Sequence, residues 1–145
     1  MSNRIRRDKK HDQLIDKLTK GDDAVFDEIW RLLVFAASLG ISQNKRSPIV
    51  SADSGKAFPE AYLTPGCGPG FISLLTICDT SSSELLRTRD GNSAERIKIF
   101  EEYANAGLEI IHAEVSKSTS CLDAILTLSG VSEKRLGAAN TSGLI

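Results

Sequence analysis

The strongest structural signal in the sequence is a long amphipathic segment, residues 92–117. Its apolar residues recur at intervals of three and four, as expected for one face of an α-helix. They are Ile97, Phe100, Ala104, Leu108, Ile111 and Val115. Asn92 followed by Glu95 matches a capping box and predicts the start of the helix. Gly107 lies inside the pattern at a cost of about 1 kcal/mol relative to alanine. A close crossing with a second helix would explain this glycine, and the alternative is that the helix simply tolerates it.

Three shorter segments also carry helical periodicity. The first is predicted to start at Asp8 or Asp12, to bury Leu14, Ile15 and Leu18, and to end at Gly21. The second is predicted to be capped by Asp22 or Asp23, and its apolar face comprises Phe26, Ile29, Trp30, Leu33, Ala37 and Gly40. The last covers about residues 121–129 and ends at Gly130.

The middle of the chain is less regular. Residues 42–70 contain all four prolines, which indicates a connector with one short helix around residues 58–63. Residues 71–78 form an apolar stretch that is either a helix or a buried strand, with a helix favoured. A serine at 81 and a glutamate at 84 predict a short capped helix through residue 86.

These segments predict a mainly α protein. At 145 residues the chain has the length of one domain with a substantial core. We expect one compact helical domain over residues 1–130, with a short amino-terminal strand, and a flexible tail over residues 131–145. The longest apolar run, residues 32–37, is far shorter than the roughly 20 residues that cross a bilayer. The amino terminus also lacks the apolar segment of a secretory signal.

Residues that would indicate catalysis or metal binding are sparse. Three widely spaced cysteines without a Cys-x-x-Cys pair argue against a zinc site or a disulfide framework, and they fit a cytoplasmic protein. His11 and His112 have no nucleophile nearby in sequence. The glycine-rich segment 66–70 lacks the Lys-Ser/Thr pair of a phosphate-binding loop. We therefore predict a protein that is not an enzyme and that has no catalytic residues, metal or cofactor. An enzyme such as a nuclease or a sulfur-transfer protein is the least favoured alternative.

A basic cluster near the amino terminus is the main functional signal. Residues 4–10 contain five positive charges in a chain whose net charge is −1. Clustered cations suit contact with a nucleic-acid backbone, although a solvated basic tail is the simpler alternative. The residues predicted to bind DNA are Arg4, Arg6, Arg7, Lys9, Lys10, Lys17, Lys45 and Arg46.

A short basic strand followed by two helices is also the order of a ribbon-helix-helix module, in which strands from two subunits pair and enter the major groove. On such a strand Arg4 and Arg6 would share one face. This predicts a homo-oligomer, most simply a dimer. Asp22 and Asp23 argue against the module, because they place negative charge where the second helix would meet a phosphate.

An alternative is that the protein docks a larger partner protein and does not touch DNA. Phe26, Trp30 and Leu33 on the second predicted helix would form the partner interface, or else the apolar stripe over residues 97–111 would do so.

Three parts of the sequence resemble a bacterial and archaeal family, the DNA phosphorothioation-associated (Dnd-system-associated) protein 4 family. They are Ile5-Arg6-Arg7-Asp8-Lys9, residues 33–40 with Lys45-Arg46 after them, and residues 99–110, of which Phe-Glu-Glu-Tyr-Ala-Asn-x-Gly-Leu-Glu is the most specific. The similarity covers about residues 4–128, and it is poor over residues 49–92 and in the tail after Gly130.

The resemblance implies an accessory cytoplasmic protein of a system that places sulfur in the DNA backbone for antiviral defence or restriction. It transfers no catalytic motif to this chain. The expected partners are DNA, with phosphorothioate-modified DNA as one candidate form, and other proteins of the same locus.

Overall fold

The computed structural model describes residues 4–52, 54–59 and 90–130. The described elements comprise two strands and four helices, together with short 3₁₀ turns at Lys9–His11 and Ser54–Lys56. In chain order they are β1 (Arg4–Ile5), α1 (Asp12–Thr19), α2 (Ile29–Ser42), β2 (Phe58–Pro59), α3 (Asp90–Lys117) and α4 (Cys121–Leu128). The prediction of a mainly α protein is confirmed. No helix within these ranges combines the length and apolar character needed to span a bilayer.

Helices α2 and α3 form the centre of the described structure, and they cross where each has a glycine. A Cβ atom added at Gly107 would overlap the carbonyl group of Ala36 and lie 2.7 Å from its Cα. One added at Gly40 would overlap the backbone carbonyl oxygen of Tyr103. The close crossing that Gly107 predicted is therefore confirmed, and Gly40 is its counterpart on α2.

The apolar stripes of the helices meet in one core. The stripe predicted on α3 is buried from Ile97 to Ile111, and Val115 packs at its edge. The fully buried large side chains of the core are Ile5, Ile15, Leu18, Leu32, Leu33, Ile99, Phe100, Leu108 and Ile111. Leu33 is only 1% exposed. The stripe and Leu33 are thus used in packing within the chain.

Glycines end the helices where the sequence predicted. Gly21, after α1, has φ +86° and Gly130, after α4, has φ +79°. This left-handed conformation is accessible to glycine at little cost and turns the chain away from the helix axis.

The predicted start of α2 is wrong. The helix begins at Ile29 and is preceded by Glu28 in an extended conformation, with no side-chain cap. Asp23 instead accepts a hydrogen bond from the backbone N–H of Cys121, at 3.1 Å, at the start of α4. The carboxylate thus satisfies a free N–H group of a helix that is distant in sequence.

The predicted start of α3 is also wrong, since the helix already includes Asp90 and Asn92 lies within it. A capping-box pattern identifies a sequence that is able to cap a helix, and it does not prevent the helix from extending further towards its amino end.

The short amino-terminal strand is confirmed, but its partner belongs to the same chain. β1 pairs antiparallel with β2, with Arg4 opposite Pro59 and Ile5 opposite Phe58. Ile5 is 1% exposed and anchors the strand in the core. The observed pairing is therefore not the intersubunit ribbon of a ribbon-helix-helix module, and Phe58 lies in a strand where a short helix was predicted.

Several predictions concern residues outside the described ranges. They are the rest of the helix at 58–63, the segments 71–78 and 81–86, the glycine-rich segment 66–70, Cys67, Cys78, and the tail 131–145.

Candidate functional site

The described structure places the predicted DNA-binding cations on several elements and pairs four of the eight with carboxylates. Arg6 makes the most extensive contact. Its backbone N–H donates to Glu101 Oε2 at 2.6 Å, and its guanidinium reaches both carboxylate oxygens at 3.2 and 3.3 Å. Glu101 is 3% exposed, whereas half of the Arg6 side chain is exposed. The hydrogen bond and the negative charge of Glu101 raise the pKa of Arg6 above its ordinary value.

Arg7 is a buried residue, and its side chain is 5% exposed. Its Nε lies 3.4 Å from Asp12 Oδ1 in an ion pair. Arg7 therefore cannot contact DNA from this position, which corrects the prediction for this residue. The guanidinium of Arg4 donates to the carbonyl oxygen of Ala57 in the connector.

Two further predicted cations pair with carboxylates of α3. Lys10 Nζ lies 3.8 Å from Glu109 Oε1, and Arg46 Nε donates to Glu102 Oε1 at 2.8 Å. The Arg46 guanidinium also lies 5.7 Å from the centre of the Tyr103 ring, within the range of a cation–π contact. Glu101, Glu102 and Glu109 all lie in residues 100–109 of α3, the segment with the most specific resemblance to the family. That segment therefore holds the basic residues against the helix.

The remaining predicted cations are Lys9, Lys17 and Lys45. All three are exposed, and none forms an ion pair with a residue in the described ranges. They belong to three separate elements: the first 3₁₀ turn, α1, and the connector after α2.

Asp8 and Asn105 hold the start of the connector after α2 in place through hydrogen bonds. The sequence pattern did not predict this role for either residue. Asp8 was predicted as a helix cap, and it does accept from the N–H of Lys10 at 3.1 Å, but it also accepts from that of Val50 at 2.9 Å. Asn105 of α3 donates to the carbonyl oxygens of Ser47 and Pro48, both at 3.1 Å. Burial would raise the pKa of Asp8, but these backbone hydrogen bonds outweigh it and the pKa lies below its ordinary value.

Two buried titratable groups of the described ranges, His11 and Cys121, have shifted pKa values. His11 is 4% exposed, and burial together with the charge of Lys10 lowers its pKa. Burial and the hydrogen bond to Asp23 raise the pKa of the Cys121 thiol to about 11, so it is a thiol at neutral pH and a poor nucleophile. No group of three or more metal-ligating side chains occurs among the described residues.

An apolar groove of about 460 Å³ lies beside the amino-terminal end of α2. Its lining includes Ile29, Trp30 and Phe58, all partly buried against the core. The Trp30 indole N–H donates to the Glu28 carboxylate, which orients the ring. The other lining residues are Thr19, Lys20, Asp27, Glu28 and Lys56.

Of the predicted partner interface, Trp30 lies in this groove. Phe26 is partly buried and packs against Phe35 with ring centres 5.8 Å apart, and Leu33 is in the core. The prediction of Leu33 as an interface residue is corrected, because an apolar residue on a helix can equally pack within the chain. Phe58 and Ile29 complete the groove, and Phe58 joins it through the pairing of β1 with β2.

Comparison with known proteins places the chain in a family. The model of the family described as DNA sulphur modification system-associated protein 4 matches residues 4–141. Searches of curated proteins and of solved structures gave no match. The match includes all the described elements and the segment of α3 that holds the amino-terminal cations. The chain therefore belongs to the DNA sulphur modification system-associated protein 4 family.

Proposed function

We propose that this protein is a non-enzymatic adaptor of a DNA sulphur modification system, which docks a partner protein of that system through the groove beside Trp30. The observation that carries the proposal is the groove itself, an apolar concavity of about 460 Å³ on the described surface. Concave apolar sites with a few polar groups at their rim are the usual form of binding sites for protruding side chains.

The groove is suited to an apolar anchor from another protein. Ile29 and Phe58 provide apolar walls, and Trp30 provides an indole ring whose N–H group is already satisfied by Glu28. The Arg31 guanidinium lies over this ring, 5.0 Å from its centroid. Tryptophan is enriched among the residues that dominate binding energy at protein interfaces. The rim carries both signs of charge, from Lys20 and Lys56 and from Asp27 and Glu28. A mixed rim favours a protein partner over a polyanion.

The arrangement of the cations also supports an adaptor over a DNA-binding protein. Arg6, Lys10 and Arg46 pair with carboxylates of α3, and Arg7 is buried. A phosphate would have to compete with these carboxylates, and the pairing reduces the positive potential that attracts DNA. Lys9, Lys17 and Lys45 lie on separate elements and supply few charges for a phosphate-binding surface.

The test is a binding measurement with purified proteins of the sulphur modification system, added one at a time to the full chain. We expect one of them to bind, and we expect Trp30→Ala and Asp27→Arg to weaken that binding at least tenfold. Asp27 is exposed, so its replacement reverses a charge at the rim with little effect on the fold. Leu122→Ala is the matched control, since Leu122 is 52% exposed on α4 and does not line the groove.

A gel shift with the protein alone distinguishes the DNA-binding alternative. An adaptor predicts no retention of a duplex, either plain or phosphorothioate-modified, at 150 mM salt. Tight binding whose affinity falls steeply with salt, and which is lost on replacing Lys9, Lys17 and Lys45 by alanine, would overturn the proposal. So would binding of a partner protein that is unaffected by Trp30→Ala and Asp27→Arg.

A further inference from the structure

The rim of the groove beside Trp30 carries both signs of charge, but its cations already have partners. Lys20 Nζ lies 3.6 Å from Asp16 Oδ1, and Lys56 Nζ lies 3.1 Å from Asp12 Oδ2. Neither of these two aspartates lines the groove. A carboxylate from a docked protein would therefore have to compete with an existing ion pair for either lysine.

The two carboxylates of the rim differ from the lysines in this respect. Both Asp27 and Glu28 are exposed, and neither forms an ion pair with any residue of the described ranges. Glu28 accepts from the Trp30 indole N–H, a neutral donor that leaves its negative charge uncompensated. The Arg31 guanidinium lies over the Trp30 ring and is not part of the groove lining. The lining charges that a partner can pair with directly are therefore negative.

These carboxylates adjoin the apolar wall of the groove. Asp27 and Glu28 directly precede Ile29 and Trp30 in the chain, and all four residues line the groove. A side chain that packs on the apolar wall would bring its own neighbours within reach of the carboxylates. Arginine and lysine suit such a place, because their apolar stems cover apolar surface while their charged ends reach a carboxylate. Arginine can also bind a carboxylate through two parallel hydrogen bonds.

We propose that the protein segment docked in this groove is basic. An apolar side chain of that segment packs against Ile29, Trp30 and Phe58, and a flanking arginine or lysine pairs with Asp27 and Glu28. An acidic segment is disfavoured, because it would place like charges next to each other at the rim. This inference rests on the proposed adaptor function and defines the chemistry of the partner.

The test uses Trp30 as the reporter. The chain contains one tryptophan, so its fluorescence and its indole N–H resonance both report on the groove. The probes are short peptides, blocked at both ends, with a central leucine flanked by arginines, by glutamines or by glutamates. In about 50 mM salt the arginine peptide should bind the full chain at least about fivefold more tightly than the glutamate peptide, with the glutamine peptide between them. About 500 mM salt should remove most of this difference, because salt screens exposed charges.

A variant that lacks only the two charges identifies their role. Asp27→Asn combined with Glu28→Gln keeps the shape of both side chains and keeps an acceptor for the Trp30 N–H. It should reduce the preference for the arginine peptide to less than about twofold. Asp22→Asn is the matched control, since it removes one exposed charge outside the groove lining and should retain the preference.

The inference is overturned if the glutamate peptide binds as tightly as the arginine peptide, or if the preference persists in the Asp27→Asn, Glu28→Gln variant. It is also overturned if the Trp30 signals do not respond to the arginine peptide. None of these results overturns the adaptor function, which is tested by the binding of a protein of the sulphur modification system and by its sensitivity to Trp30→Ala. A system protein that binds through Trp30 with an acidic segment would retain the adaptor function and overturn the inference.

Discussion

Replacing Gly107 by alanine tests the helix crossing on which the described core depends. The new Cβ would lie 2.7 Å from the Cα of Ala36 and closer still to its carbonyl group. Carbon atoms that do not bond to each other are normally about 3.5–4.0 Å apart. Because the obstacle is backbone, no side-chain rotation relieves the overlap. Helices α2 and α3 would have to separate by more than about 1 Å at the crossing to restore normal contact with the Ala36 carbonyl group.

The expected cost follows from two opposing effects. Overpacking a well-packed core costs about 1–3 kcal/mol, and a backbone obstacle puts this case near the upper end. Alanine regains about 1 kcal/mol through its higher helix propensity. We therefore expect Gly107→Ala to lower the free energy of unfolding by about 2 kcal/mol. With a urea m-value of about 2 kcal/mol/M, the unfolding midpoint should fall by about 1 M.

Urea unfolding followed by far-UV circular dichroism measures this change. Ala113→Gly is the control for propensity, since Ala113 is exposed on the same helix, and it should cost about 1 kcal/mol. Ala36→Gly should not rescue Gly107→Ala, because the overlapping atoms belong to the Ala36 backbone. An unfolding midpoint for Gly107→Ala equal to or above that of the wild-type protein would refute the reasoning.

Three further outcomes are expected. Burial lowers the pKa of His11 in the folded state, so the unfolded chain binds a proton more readily. The free energy of unfolding should therefore fall as the pH drops below about 6.5. His11→Gln should flatten this pH dependence of the urea midpoint, whereas His112→Gln, at an exposed position, should retain it. Glu101→Gln should lower the free energy of unfolding by about 1–2 kcal/mol, because it weakens charged hydrogen bonds to a half-exposed arginine; a change below about 0.3 kcal/mol would contradict the anchoring role. Leu33→Ala should cost about 2–5 kcal/mol in a thermal or urea transition, and Leu122→Ala less than about 0.5 kcal/mol; similar values for the two would contradict the burial of Leu33.

Features that depend on residues near each other in sequence were predictable. The apolar stripe of α3 was found from intervals of three and four, and it is buried as one face of that helix. Gly21 and Gly130 mark the ends of α1 and α4. Gly107 indicated a close crossing, because a glycine in a long amphipathic helix weakens the helix unless it allows close packing.

Neighbouring residues in the sequence could not predict where α2 starts or whether Leu33 faces a partner or the core. An aspartate before an apolar pattern is able to cap the following helix, yet Asp23 accepts from Cys121, 98 residues away. An apolar residue on a helix can face a partner or the core, and only the packing of α3 against α2 places Leu33 inside.

Local patterns along the chain predict the existence of the four described helices, their apolar faces and a basic amino-terminal segment, because helical periodicity and local charge depend on neighbouring residues. The role of that charge depends on how the chain packs. Arg6 meets Glu101, 95 residues away, and Arg7 enters the interior beside Asp12. The energy of a charge depends on burial and on the nearest opposite charge in space, and neither can be read from the spacing of residues along the chain.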